Sequence, residues 1–205
     1  MSDEINAIVI DALKEISNIA TASLSTVISQ LTGEEISISV PLAQILNFTE
    51  ITNNMPVMDT TIFTGYTPIT GEISGSIVTF LTREDAIKLV EITLGQKANT
   101  SNFPTPEEKE ALTELIKISS NTYTNSINTF TQTNLTPKEP ETDIFEESKL
   151  LRFLKDRTKE DYATKKIVGV AITFTIDYTN IEGTIIMLLG PNILDHIKTE
   201  LTENN

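Results

Sequence analysis

The chain has 205 residues, of which 39% are hydrophobic and 21% charged, enough to bury a core as one large domain or two small halves. With 29 Asp and Glu against 15 Lys and Arg, the formal net charge is -14, which disfavours nucleic-acid phosphates and anionic membranes as partners. Such acidity serves either solubility alone or a protein partner with a basic rim. There is no cysteine and one histidine, His196, so disulfides, thiol nucleophiles, thiolate metal sites, His-dependent triads and multi-His metal sites are excluded.

In chain order, apolar spacing predicts a long helix from Asp3 or Glu4 to Leu31, stopped by Gly33. Ile36-Ser37-Ile38-Ser39-Val40 alternates as a half-buried strand, and Pro41 restricts its pairing. Thr60 to Thr67 and Glu72 to Thr82 are the next strands, joined by a turn at Thr70-Gly71, and Arg83 to Leu94 is a helix ended by Gly95. Gln96 to Pro106, rich in Asn, Ser, Thr and Pro, is a linker. Thr105-Pro106-Glu107-Glu108 opens a second long helix, with a Thr N-cap, Pro in the first turn and a Glu placed for a capping box; it runs to about Gln132. Strands are predicted near Pro140 to Phe145, Lys166 to Asp177 and Ile181 to Gly190, and a last helix over Asn192 to Leu201. No apolar run is long enough to span a bilayer, and Met1-Ser2-Asp3-Glu4 carries acids where a signal peptide carries bases, so a cytoplasmic location is expected.

The order of elements repeats. Asp11, Glu15, Asn18 and Pro41 recur at an offset of 99 as Glu110, Glu114, Lys117 and Pro140. Further on, Gly75-Ser76-Ile77-Val78 recurs at an offset of 108 as Gly183-Thr184-Ile185-Ile186, so the second half has gained nine residues, placed most simply in the charged stretch Glu146 to Lys166. A first repeat over 1–95, a linker over 96–106 and a second repeat over 107–205 are expected. The strands of one half cannot cover both their faces. The expected fold is therefore one α+β domain, internally duplicated with pseudo-two-fold symmetry: two long adjacent helices packed on a shared, mainly antiparallel six-stranded sheet.

On a helical wheel with Glu15 at zero, Val9, Leu13, Ala20, Leu24, Val27 and Leu31 cluster at about 120–180 degrees and form the expected buried face. Asp11, Glu15, Asn18 and Ala22 point the opposite way, with Ile8 and Ile19 just beside them. Two isoleucines flanking a polar stripe mark either a docking surface or a contact under a neighbouring helix. In the second long helix, Glu110, Glu114, Lys117 and Asn121 form the outward stripe, while Leu112, Tyr123 and Phe130 face inward. There the amide position holds Lys117, which at i,i+3 from Glu114 is placed for a surface ion pair.

The spacing Asp11-x3-Glu15-x2-Asn18, followed after 22 residues by Pro41, resembles the signature of the CheC, FliY and CheX phosphatases. Leu13-Lys14-Glu15-Ile16-Ser17-Asn18-Ile19 is similar to their helix motif, with Ser17 where Gly is usual, and the duplicated length resembles CheC. The resemblance implies hydrolysis of the aspartyl phosphate of the chemotaxis response regulator CheY. Glu15 and Asn18 would be the one intact catalytic pair, and Glu114 with Lys117 a degenerate second site. Ile8, Asp11, Ile19 and Ala22 would meet the partner.

The resemblance further implies a CheD-like deamidase as a second partner. The Glu146 to Lys166 insertion is one conceivable surface for it. No metal or cofactor of the chain's own is expected, the divalent metal lying on the regulator; nor is any nucleic acid or membrane partner, and the chain should be a monomer. A catalytically weak or inactive CheC- or FliM-like module that sequesters CheD or CheY is the alternative, and a scaffold without a signalling partner is a further one.

Overall fold

The computed structural model describes residues 2–47, 60–157, 166–176 and 179–203. Helix α1 (Ser2–Thr32) ends at Gly33, whose φ of 73° suits a residue without a Cβ and whose N–H donates to the Ser29 carbonyl at 2.9 Å. Helix α2 (Arg83–Leu94) is capped by Thr82, whose hydroxyl accepts from the Asp85 N–H, and closes at Gly95 in the left-handed region. Helix α3 (Pro106–Thr131) begins with the anticipated capping box between Thr105 and Glu108. Helices α4 (Leu150–Arg157) and α5 (Ile193–Glu203) complete the set.

Glu108 does more than close the box. Its buried carboxylate accepts from the Thr105 N–H at 2.7 Å and from the Asn99 N–H at 2.6 Å, tying the linker to the start of α3. Burial pushes its pKa up, but the bonds from the Thr105 and Asn99 amides and the Thr105 hydroxyl outweigh burial and hold it below the ordinary value of 4.5. A depressed folded-state pKa contributes stability that is present above the unfolded value and is lost as pH falls through the folded one. Chemical denaturation of Glu108→Gln should therefore give a flatter stability–pH curve than wild type on the acid side of that value, and parallel curves would refute the linkage.

The strands are β1 (Ile36–Asn47), β2 (Thr61–Gly71), β3 (Gly75–Thr82), β4 (Leu135–Pro137), β5 (Glu141–Glu146), β6 (Lys166–Ile176) and β7 (Ile181–Leu189). They form one antiparallel sheet in the order β1-β6-β7-β3-β2-β4, with β5 also paired to β2. Seven strands thus occupy six positions, because β4 and β5 share the edge beside β2. The ladder shows why. β1 slips register between Ser39 and Leu42, at Pro41, and its counterpart edge breaks between Pro137 and Glu141, around Pro140. Proline has no N–H for the ladder and is tolerated at an edge or bulge, so one copy bulges and the other splits.

β3 and β7 meet at the centre with Val78 opposite Ile186, two residues 108 apart, so the pseudo-two-fold axis passes between them. Around it, Asn47 pairs Lys166 as Glu146 pairs Thr61, which sets β6 at an offset of 105 from β2. The nine extra residues are accordingly divided: six precede β6 and three lengthen the β6–β7 hairpin, where the 99 offset becomes 105 and then 108. The single insertion expected over Glu146 to Lys166 is corrected to that extent. Leu150, Phe153 and Leu154 of α4 close the sheet face formed by Ile62, Tyr66 and Phe80, although 158–165 lie outside the described residues.

α1 and α3 pack side by side on the other face. Leu13, Ile16 and Leu24 join Leu112, Ile116 and Tyr123 in one core with Phe63 and Ile77. A Cβ on Gly65 would collide with the Ile116 side chain, so the missing side chain lets α3 sit close against β2. β4 and α4 escaped the pattern analysis, and β1 was anticipated only as far as Val40. β4 is three residues long and is held by Asn128, whose side chain donates to the Leu135 carbonyl and accepts from its N–H, both at 2.8 Å. β1 continues past Pro41 to Asn47, because the bulge absorbs the proline.

Candidate functional site on the outward face of α1

The polar stripe of α1 is set by what the opposite face buries. Ala12, Leu13, Ile16, Ala20 and Leu24 are in the core, which turns Asp11, Glu15, Asn18 and Ala22 to the exterior. Ile8 is 57% and Ile19 49% exposed, so neither packs under a neighbouring helix. Among the described residues, Glu15 and Asn18 have no hydrogen-bond or ion-pair partner, whereas Asp11 lies 3.7 Å from Lys14. An acid and a neutral amide one turn apart, unengaged and rimmed by exposed apolar side chains, can reach into a partner's surface without breaking internal bonds. The Val9 side chain, assigned to the buried face, lies outside the described residues. Leu31, assigned to the same face, is 41% exposed.

The equivalent face of α3 is organised differently. Glu110, Glu114 and Asn121 are exposed, and Asn121 donates to the Lys117 carbonyl at 2.9 Å. Lys117 does not pair with Glu114 as the i,i+3 spacing suggested. Its ammonium instead lies 3.0 Å from Glu139, on the segment between β4 and β5. That hydrogen bond, then the charge of Glu139, raises the Lys117 pKa above 10.5, with a smaller contribution from Glu114. The apolar rim is missing as well: the 99 offset puts Glu107 opposite Ile8 and the half-buried Ile118 opposite Ile19.

A feature that the wheel could not supply lies behind the stripe. Ser17 is buried, donates to the Leu13 carbonyl at 2.7 Å and accepts from the Tyr123 hydroxyl of α3 at 2.9 Å. Among the described residues there is no cluster of three or more His, Cys, Asp or Glu able to hold a metal, and no helix long and apolar enough to cross a membrane.

Residues 8–45, which span the stripe from Ile8 through Asn18 to Pro41, match the model of the CheC-like family. The same fold occurs in several solved structures. It is similar to FliY of Thermotoga maritima, with a TM-score of 0.70, 16% identity, and 96% of this chain and 97% of that chain covered. It is also similar to the FliM middle domain of Vibrio alginolyticus, with a TM-score of 0.63, 15% identity, and coverage of 92% and 98%. A third likeness is to the structure of a CheX–CheY–BeF3–Mg complex from Borrelia burgdorferi, with a TM-score of 0.55, 12% identity, and coverage of 83% and 95%. The chain thus shares its α+β fold with these FliY, FliM and CheX structures, and the family match falls on the segment that carries the stripe.

Proposed function

We propose that the protein hydrolyses the aspartyl phosphate of a CheY-type response regulator, with Glu15 and Asn18 as its single working pair. The observation that carries this is the outward stripe of α1, where both side chains are exposed between Ile8 and Ile19 and unengaged among the described residues. Phosphoryl transfer asks mainly for positioning and charge stabilisation. The regulator brings the phosphoaspartate, a divalent metal and a lysine, so what remains to be supplied is a water held in line behind phosphorus. The Asn18 carboxamide oxygen can accept a hydrogen bond from that water while staying neutral, whereas a carboxylate there would repel the phosphoryl oxygens. Glu15 pairs with a cation of the partner and fixes the depth of insertion. The protein needs no metal or cofactor of its own for this and acts as a cytoplasmic monomer.

Substoichiometric amounts of the protein should then accelerate decay of a phosphorylated CheY-type regulator, and unchanged decay would sink the phosphatase reading. The likeness to FliM middle domains favours a second reading, a module that holds CheY or a CheD-like protein without hydrolysis; stable binding with unchanged decay would select it.

The second face gives a sharper expectation. Lys117 has no acceptor for water, is tied to Glu139, and lacks the isoleucine rim. Lys117→Asn alone should leave the decay rate within about twofold of wild type, because the amide returns to a face that no longer docks. A clear gain in rate from that single change would mean the second face still binds the regulator.

A further inference from the structure

Resting on the phosphatase reading, we infer that Tyr123 is a positioning residue for the Glu15–Asn18 pair, acting through Ser17. Ser17 stands between the two in the chain and faces the opposite way, into the seam between α1 and α3. Its hydroxyl makes two bonds, one to the Leu13 carbonyl within its own helix and one from Tyr123 Oη across the seam, over a sequence separation of 106 residues. A serine that donates to the carbonyl four residues back competes with the backbone ladder and bends its helix slightly. The Leu13–Ser17 turn spans Glu15 and leads into Asn18, so that local bend sets how the two outward side chains stand relative to each other.

Tyr123 decides which way Ser17 donates. With the phenol supplying one hydrogen bond, the serine proton is committed to Leu13. Burial pushes the Tyr123 pKa well above its usual 10, so the phenol remains a donor throughout the working pH range. The pseudo-symmetry supplies the control. The 99 offset places Ile116 at the position of Ser17 and Leu24 at that of Tyr123, both buried in the same core. Two buried apolar residues therefore stand at these positions on the side that carries Lys117, where Ser119 donates to the Leu115 carbonyl but no hydroxyl bond joins the two helices among those described. The hydroxyl clamp occurs on the side that keeps Asn18. A buried hydroxyl pair adds little net stability over apolar packing, so its placement points to geometry.

The test is a double-mutant cycle with Tyr123→Phe, Ser17→Ala and the double variant, reading regulator affinity and single-turnover hydrolysis separately. Each single change should slow turnover by roughly fivefold to tenfold, as small misplacements of a reacting geometry do, while affinity stays within about twofold. Melting temperatures should fall by no more than about 2–4 °C. The double variant should be no slower than the slower single, because both remove the same clamp. Wild-type turnover in either single variant would overturn the inference, as would a loss confined to affinity or losses that multiply in the double. If Tyr123→Phe does not fold, Ser17→Ala alone decides, since it removes the same bond from the other side. Failure of the wild-type protein to speed regulator decay would instead remove the phosphatase reading and this role with it.

Discussion

Asn18→Ala is expected to slow hydrolysis of the phosphorylated regulator about a hundredfold, equivalent to roughly 3 kcal/mol of transition-state stabilisation. The carboxamide is asked to supply one oriented acceptor to the attacking water, and such a group typically contributes on that scale. Its removal leaves Ile8, Ile19 and Glu15 in place, so affinity for the regulator should change little, and the loss should appear in turnover. Glu15→Ala should behave otherwise, lowering affinity and rate together, because an anchoring ion pair acts in the ground state and the transition state alike. Both side chains are exposed and without partners among the described residues, so neither change should disturb folding. Measuring regulator decay alongside direct binding separates the cases. Full activity in Asn18→Ala would show that water is positioned elsewhere.

Leu24→Ala is expected to cost about 2–5 kcal/mol of stability, the usual range for deleting a fully buried leucine side chain. Leu24 has no exposed surface and lies in the core with the rest of the inward face of α1. α1 also carries the candidate site, so the same change should lower the temperature at which the proposed phosphatase activity is lost. Leu31 is the counterpart test. It falls on the same side of the wheel, yet 41% of it remains exposed near the end of the helix, and Leu31→Ala should stay within about 0.5 kcal/mol of wild type. Urea midpoints for the two variants would decide; equal losses would mean that the last turn of α1 packs as tightly as its middle.

The difference between Leu24 and Leu31 shows where pattern analysis stops. A helical wheel knows the direction of a side chain and nothing of what faces it, so it cannot tell where the neighbouring helix or sheet ends. For the same reason it left two options for Ile8 and Ile19, which the packing of α1 on the sheet and α3 resolves as exposure. Local chemistry was more legible. The end of α2 and the start of α3 followed from Gly95 and the Thr105–Glu108 box, because caps act through neighbouring residues. β4 was invisible, since three residues ending at a proline carry no periodicity and depend on Asn128 and the end of β2. The apolar side of α4 was masked by the charges around it, and only the uncovered sheet face gives Leu150, Phe153 and Leu154 their place.

By itself the sequence determined that the chain is duplicated, that each half carries one long helix with an outward polar stripe, and that the amide survives in one half alone. These are properties of spacing and residue type, which a linear text preserves. The tertiary structure decided what depends on contacts between distant residues. Lys117 turns to Glu139, because a strand edge brings an acid within 3.0 Å of it. The extra residues of the second half divide between two connections, because pairing across the central β3–β7 ladder fixes the register on both sides. And Ser17, met in the sequence as a departure from a usual glycine, gains its partner from a helix whose position is set by the close approach of Ile116 to Gly65 and by the core beneath it.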